Sequence, residues 1–246
     1  MSSAFGASLL AYWQGNLETT HIIERNDGFK RETAVEYLFK KPSHWDKEEV
    51  RSLGHIPLNS TVLDVGCGVG RIATYLQNKG NKVVGVDSCE EAIQIVKARG
   101  IKFTFLGNIC KLTNSPIFNS FDVILMMGNN FGICGDIPKT EMLLKKFLGF
   151  LSPNGLLIFS CLDPLNTDNP LHLAYHKQNR RKNKPPGLVR IRICYKQLKD
   201  DWWDLLLVDV STAEKMLENT GYQKIAIYQN DSSPLYYVVA KKQLLL

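Results

Sequence analysis

The chain has 246 residues, 44% apolar and 22% charged, a balance that excludes a disordered or low-complexity chain. Its formal charge of +6 is local, because residues 175–196 carry eight Lys or Arg and no acid, and elsewhere 22 bases face 24 acids. The chain as a whole is therefore not basic, and no apolar run approaches the roughly 18 residues that a bilayer span requires.

No basic leader with an apolar core opens the sequence, so a cytoplasmic protein without a membrane partner is expected. Residues 1–58 read as an N-terminal helical cap. Phe5, Leu9, Leu10, Tyr12 and Trp13, then Val35, Tyr37, Leu38, Phe39 and Trp45, recur there at mixed helical spacing. Pro42 ends one predicted helix and Ser43 caps the next. From Thr61 the pattern alternates regularly. Strand 61–65 leads to a helix through Tyr75 and Leu76 that stops near Gly80-Asn81, a helix-ending signal. Strand 82–86, a helix over 89–99, strand 102–106, strand 121–127 and a helix over about 138–150 follow. Ser152-Pro153-Asn154-Gly155 then turns the chain into a fifth strand, 156–161.

Near-continuously apolar strands separated by helices predict an α/β, doubly wound, mostly parallel sheet covered on both faces. Ligands of such sheets lie beyond the carboxyl ends of the strands. Residues 162–209 stand outside that pattern. Asp163-Pro164 and Asn169-Pro170 are turns, and strand-like runs 188–198 and 202–208 predict an inserted β-hairpin cap after the fifth strand. A last helix then leads to Gly221-Tyr222, strand 223–229 and strand 235–241. The division expected is a cap over 1–58 and a Rossmann-like domain over 59–246, with the cap insertion at 162–209.

The segment Val62-Leu63-Asp64-Val65-Gly66-Cys67-Gly68-Val69-Gly70-Arg71 is a strand, a glycine turn and a helix start, a place where backbone N–H groups meet an electron-rich ligand. A dinucleotide fingerprint would need glycine where Arg71 stands, and Asp64 is an acid where such strands are apolar. The D-x-G-x-G-x-G spacing instead resembles motif I of the class I (Rossmann-like) S-adenosylmethionine-dependent methyltransferases. Asp87, closing Val83-Val84-Gly85-Val86-Asp87-Ser88, stands where that family and the dinucleotide binders place a ribose-binding acid. The closing pair of strands is similar to the family's antiparallel sheet end, which predicts seven strands with an antiparallel last one. The likeness covers about residues 60–161 and 210–242.

The resemblance implies S-adenosyl-L-methionine as cofactor, S-adenosyl-L-homocysteine as product, and in-line methyl transfer to a small molecule, anionic or amine-bearing. By the same resemblance Asp64 orients the loop and anchors the methionine ammonium. Gly66, Cys67, Gly68 and Gly70 line the methionine moiety, and Asp87 with Ser88 meets the ribose. Asn108 replaces the family's usual Asp at the adenine amino group, Ile109 flanks the ring, and Met127 and Gly128 face the sulfonium. Some of Tyr12, Trp13, Arg25, Tyr37 and Trp45 are expected over the cofactor cleft.

Gly128-Asn129-Asn130-Phe131 is similar to a Gly-Asn-Ser-Phe run in glycine N-methyltransferase-like enzymes, which marks Asn130 as a candidate to act on the acceptor. Asp163, just past the fifth strand, and His176, four residues from His172, are candidate proton acceptors. An Asn-Pro-Pro-Tyr run and a Pro-Cys nucleophile are both absent, which removes two base-methylating chemistries. The cysteines at 67, 89, 110, 134, 161 and 194 form no C-x-x-C pair and no zinc spacing, so no metal site is expected, and most, lying in or beside apolar runs, read as reduced, partly buried thiols. The basic 175–196 tract is open to three readings: a solvated loop, a lid steering a small anion, or RNA contact by an RNA-modifying methyltransferase. A non-catalytic cofactor-binding or interaction protein is the other alternative.

Overall fold

The computed structural model describes residues 3–111 and 120–243, so the outermost residues of both expected regions lie outside it. The chain opens with α1 (Ala4–Trp13), whose first turn is closed by the Ser3 hydroxyl accepting from Gly6 N. Beyond it the structure corrects the all-helical expectation for residues 1–58. Thr20–Arg25 and Lys30–Ala34 form an antiparallel hairpin, β1 and β2. The segment 35–44, where aromatics suggested helix, makes only short 3-10 turns before α2 (Lys47–Leu53). Thr20-His21-Ile22-Ile23 is rich in β-branched side chains, and Asn26-Asp27-Gly28 supplies the turn, with Gly28 at φ 90°.

The α/β alternation then runs as β3 (Thr61–Val65), α3 (Arg71–Asn78), β4 (Lys82–Asp87), α4 (Glu90–Ala98), β5 (Phe103–Leu106), β6 (Phe121–Met126), α5 (Ile137–Phe150) and β7 (Leu151–Leu162). All five of these strands are parallel. The chain continues through α6 (Pro170–Arg181), β8 (Leu188–Tyr195), β9 (Leu198–Lys199), β10 (Trp203–Leu206) and α7 (Val210–Asn219) to β11 (Tyr222–Gln229) and β12 (Leu235–Lys242). The large sheet has seven strands in the order β11-β12-β7-β6-β3-β4-β5, with β12 antiparallel to both neighbours.

Side chains of β6 alternate between two cores, as a strand period of two requires. Ile124 and Met126 pack with Leu144 and Phe147 of α5 and Met216 of α7; Val123 and Leu125 pack with Leu53, Leu76 and Val96 of α2, α3 and α4. The sheet is therefore covered on both faces.

The insertion does form a hairpin, but it is not free-standing. β8 pairs with β1 as well as β10, with Ile22 opposite Cys194 and Ile23 opposite Ile193, giving a second, five-stranded antiparallel sheet. Helix α1 joins the two layers. Its Leu9 packs on Val69, Ala92 and Ile95 of the large domain, while Ala4 packs with Ile193 and Tyr195 of the small sheet. Arg25 ties α6 to β1. It is 4% exposed, makes two bonds to Asp27 (2.8 and 2.7 Å), reaches His172 Nδ1 (2.9 Å) and Leu171 O (3.1 Å), and lies over the Phe29 and Tyr175 rings. The backbone of β10 abuts Gly132 and Gly135, so the small sheet stands beyond the carboxyl end of β6. No helix of the described residues is long and apolar enough to cross a membrane.

Candidate active site

Strand β3 ends in the glycine turn. Gly66, Gly68 and Gly70 have φ of 68°, 53° and 74°, a region that side chains rarely enter. Gly66 N and Cys67 N donate to Val86 O (2.8 and 3.1 Å), which stitches the turn to β4. On the other side Asn130 Nδ2 donates to Val65 O and Gly66 O, both at 3.1 Å. A Cβ on Gly66 would collide with that amide, so glycine is demanded there twice over. At Gly68 and at Gly128, which follows the neighbouring strand β6, an added Cβ would meet nothing within 4 Å. Two adjacent strand ends thus present bare backbone to open space, a cradle for a ligand that approaches the main chain.

Two carboxylates border it. Asp87, at the end of β4, accepts from Gly68 N with Oδ2 (2.8 Å) and from Cys89 N with Oδ1 (2.9 Å). Burial raises its pKa against the lowering effect of those N–H groups. Each oxygen keeps lone-pair capacity for a hydroxyl donor. Asp64 is 3% exposed, and among the described residues neither a hydrogen bond nor an ion pair satisfies it. Burial pushes it up to about 7, the Arg71 charge pulling down and the Asp87 charge pushing further up. Arg71 is not its partner. That guanidinium bonds Glu49 at 2.6 and 3.0 Å and lies 4.6 Å from the Trp45 ring centre. A buried carboxylate without a cation of its own is costly, and a ligand ammonium would supply what is missing. On these grounds the residues fit S-adenosylmethionine, which offers an ammonium, a ribose diol and a shape that must lie along a glycine loop.

The remaining sequence-predicted residues fall in three groups. Cys67 is buried with its thiol pKa raised well above the ordinary value by burial, and Ser88 is exposed directly beyond Asp87. Asn108 is exposed and its Oδ1 already accepts from Cys110 N at 2.9 Å, which leaves one lone pair; Ile109 is buried in the same core as Val86 and Phe131. Met127 is buried behind Gly128, whose N–H donates to Ser160 Oγ at 2.9 Å. Asp163 follows β7 and its Oδ1 accepts from Leu165 N at 2.8 Å. His176 sits apart from these loops, on α6. Burial, then the charges of Arg180, His172 and Arg25, lower the pKa of its imidazole.

Of the N-terminal residues expected over the cleft, Tyr12 and Trp13 stack on Phe39, Trp45 covers Arg71, and Arg25 belongs to the α6 anchor. No group of three metal-ligating side chains is gathered among the described residues. Cysteines 67, 89, 161 and 194 are free, as expected for most of the six, whereas Cys110 and Cys134 are disulfide-bonded. That bond joins the turn after β5 to the turn after β6, a proximity invisible in their 24-residue separation. Sequence reasoning also missed Ser160, which holds Gly128 and Asn129, although a lone hydroxyl in Leu156-Leu157-Ile158-Phe159-Ser160-Cys161 was a usable signal.

Comparison with known proteins points the same way. A methyltransferase domain family matches residues 62–155. The chain is 28% identical over 111 residues to the cypemycin N-terminal methyltransferase of a Streptomyces species, covering 45% of each protein. It is 26% identical over 231 residues to protein arginine N-methyltransferase 1 of Schizosaccharomyces pombe, covering 86% of this chain and 56% of that one. The chain spans about half the length of the curated relatives it matches. Its fold is shared with a SAM-dependent methyltransferase of Bacteroides fragilis solved with S-adenosyl-L-homocysteine, at TM-score 0.79, 22% identity, 99% of this chain and 96% of that one. A SAM-dependent methyltransferase of Methanosarcina mazei aligns at TM-score 0.63 and 18% identity, over 78% of this chain and 96% of that one. The glycine turn and the two carboxylates thus lie in a segment similar to a methyltransferase domain, on a fold shared with S-adenosylmethionine-dependent methyltransferases.

Proposed function

We propose that this chain moves a methyl group from S-adenosylmethionine to a small acceptor, anionic or amine-bearing, and releases S-adenosylhomocysteine. The unpartnered Asp64 carboxylate beside the open Gly68–Gly128 cradle carries that reading. When bound, the cofactor supplies an electrophilic methyl on sulfur. The chain's residues need only hold the acceptor in line with it and keep water out. Asp64 takes the ammonium, and Gly66, Cys67, Gly68 and Gly70 run along the methionine. Asp87 and Ser88 meet the ribose, Asn108 and Ile109 the adenine, and Met127 and Gly128 the sulfur side. Asn130 acts by clamping the glycine turn. Asp163, just past β7, is the candidate to receive an acceptor proton, and His176 could do so only if the acceptor extends to α6.

The regions 1–58 and 162–209 act together as the acceptor cap, supported by their shared sheet. A cytoplasmic setting is supported by the four free thiols, and the Cys110–Cys134 bond would there have to withstand cellular dithiols. A second reading, an RNA acceptor, is favoured by one observation: Lys177, Arg180, Arg181, Lys182 and Lys184 are exposed on and after α6 with no ion pair among the described residues. A non-catalytic cofactor sensor is the third. Labelled cofactor incubated with separate metabolite and RNA pools decides among them. Label in small molecules is the expected result; label in RNA, lost steeply with added salt, supports the second reading; cofactor binding without transfer supports the third.

A further inference from the structure

Strands β5 and β6 are not neighbours in the large sheet. β3 and β4 stand between them, and the ends of those two strands carry the glycine turn and Asp87. The turns that follow β5 and β6 are nevertheless joined covalently, Cys110 to Cys134. The bond therefore straps together the two sides of the region on which the cofactor reading rests.

Each end of the strap touches that region. In the β5 turn, Gly107 N donates to Asp87 O (2.8 Å), and Asn108 Oδ1 accepts from the N–H of Cys110 itself (2.9 Å). Ile109, directly before Cys110, packs with Val86 and Phe131. At the other end, Cys134 lies four residues beyond Asn130, whose amide clamps the glycine turn. It stands between Gly132 and Gly135, against which the backbone of β10 rests. The sulfurs are also open to exchange, because Cys110 is exposed and Cys134 half-buried. The free thiols do not compete for the bond. Burial raises the thiol pKa of Cys67 well above the ordinary value, that of Cys89 to about 12 and that of Cys161 to about 11, and it raises Cys194 as well. Little thiolate is left on any of them near neutral pH.

We propose that the Cys110–Cys134 bond is a redox switch on cofactor affinity: the oxidised chain holds the β5 turn in its binding geometry, and a dithiol that opens the bond weakens the site. This rests on the cofactor reading above. In the step, one thiolate of the dithiol attacks Cys110 Sγ, and Cys134 leaves as a thiolate. The second thiol of the reagent then displaces Cys110 and closes the reagent's own disulfide. Two electrons and two protons pass to the protein, and the reagent's disulfide runs the exchange in reverse. A reduced chain has to order the untied turn when it binds, an entropic cost that the bond removes in advance. Linkage makes the effect reciprocal. Bound cofactor protects the bond by the same factor by which the bond tightens the cofactor.

The test needs no knowledge of the methyl acceptor. Wild type equilibrated with oxidised dithiothreitol, and wild type kept in reduced dithiothreitol, are each titrated with S-adenosylhomocysteine by calorimetry. The reduced chain is expected to bind about fivefold or more weakly, the lower end of the usual coupling between linked sites. Cys110→Ser and Cys134→Ser are each expected to bind like reduced wild type and to ignore dithiothreitol. In a second measurement free thiols are counted against the ratio of reduced to oxidised reagent. Saturating S-adenosylhomocysteine is expected to raise the ratio needed for half-reduction by the same factor, a shift that a merely structural bond would not show. Both wild-type measurements stand even where a serine variant fails to fold. Equal affinity in the two redox states, a half-reduction ratio that the ligand does not move, or six thiols after oxidation overturns the proposal while leaving the cofactor site standing. Binding of S-adenosylhomocysteine in neither state overturns both.

Discussion

Asp64 offers the sharpest quantitative consequence. Its pKa moves from an ordinary 3.8 to about 7 in the folded, ligand-free protein. A folded pKa above the unfolded one means that the native state holds the proton more tightly. Stability is then full below about pH 4, declines as pH rises and levels off above about pH 7. The whole shift corresponds to roughly 4 kcal/mol of native-state cost at pH 8. Asp64→Asn removes the charge at nearly constant volume, so the variant should be more stable than wild type by about 1–4 kcal/mol at pH 8. By pH 5 the difference should shrink to roughly 2 kcal/mol or less, because part of the wild-type cost is relieved by protonation. Urea denaturation at both pH values reads this directly. The same variant should bind S-adenosylhomocysteine about 10- to 100-fold more weakly, since a charged hydrogen bond to the ammonium is lost. Wild type at pH 6 should release a proton on binding, detectable as buffer-dependent heat. A variant that is no more stable than wild type at pH 8, or a stability gap that ignores pH, would refute the claim that this carboxylate lacks a partner.

Two further outcomes follow from the packing. Arg25→Met leaves Asp27 without its cation and cuts the tie between α6 and β1, so chemical denaturation should show a loss of about 2–4 kcal/mol. S-adenosylhomocysteine affinity should stay unchanged, because the anchor lies in the cap; a matching loss of cofactor affinity would contradict that separation. Cysteine titration of the unfolded, unreduced protein should find four thiols, rising to six with a dithiol. Reduction should cost about 3 kcal/mol of stability from the loop that the bond closes. Six thiols before reduction would exclude the Cys110–Cys134 bond.

The cofactor half of the molecule was legible because its signals are local. A parallel strand buried on both faces reads as an unbroken apolar run, and the turn that follows needs glycine at φ values printed in the sequence as Gly66, Gly68 and Gly70. Asp87 falls at the end of the next such run, so strand periodicity alone sets it beside the loop. The cap was not legible for the opposite reason. β1 pairs with β8 across some 170 residues, and nothing local in Thr20-His21-Ile22-Ile23 announces a partner at Ile193 and Cys194. Asn26-Asp27-Gly28 is a turn signal, but the aromatics of 35–45 recur at spacings that suggest helix. They serve instead as contacts between short turns, α1 and Arg71. The part Asn130 plays depends on where Val65 O and Gly66 O point, so the sequence alone suggests an acceptor-facing amide where the fold has a clamp on the glycine turn.

On the reading proposed above, the ends of β3, β4 and β6 hold a nucleoside sulfonium and not a dinucleotide. Titration of purified protein with S-adenosylhomocysteine and, separately, with NAD, each repeated on Asp87→Ala, tests it most directly. Saturable heat with S-adenosylhomocysteine, weakened about 5- to 100-fold in the variant by the loss of hydrogen bonds to the ribose, and none with NAD is expected. Heat with NAD alone would contradict it.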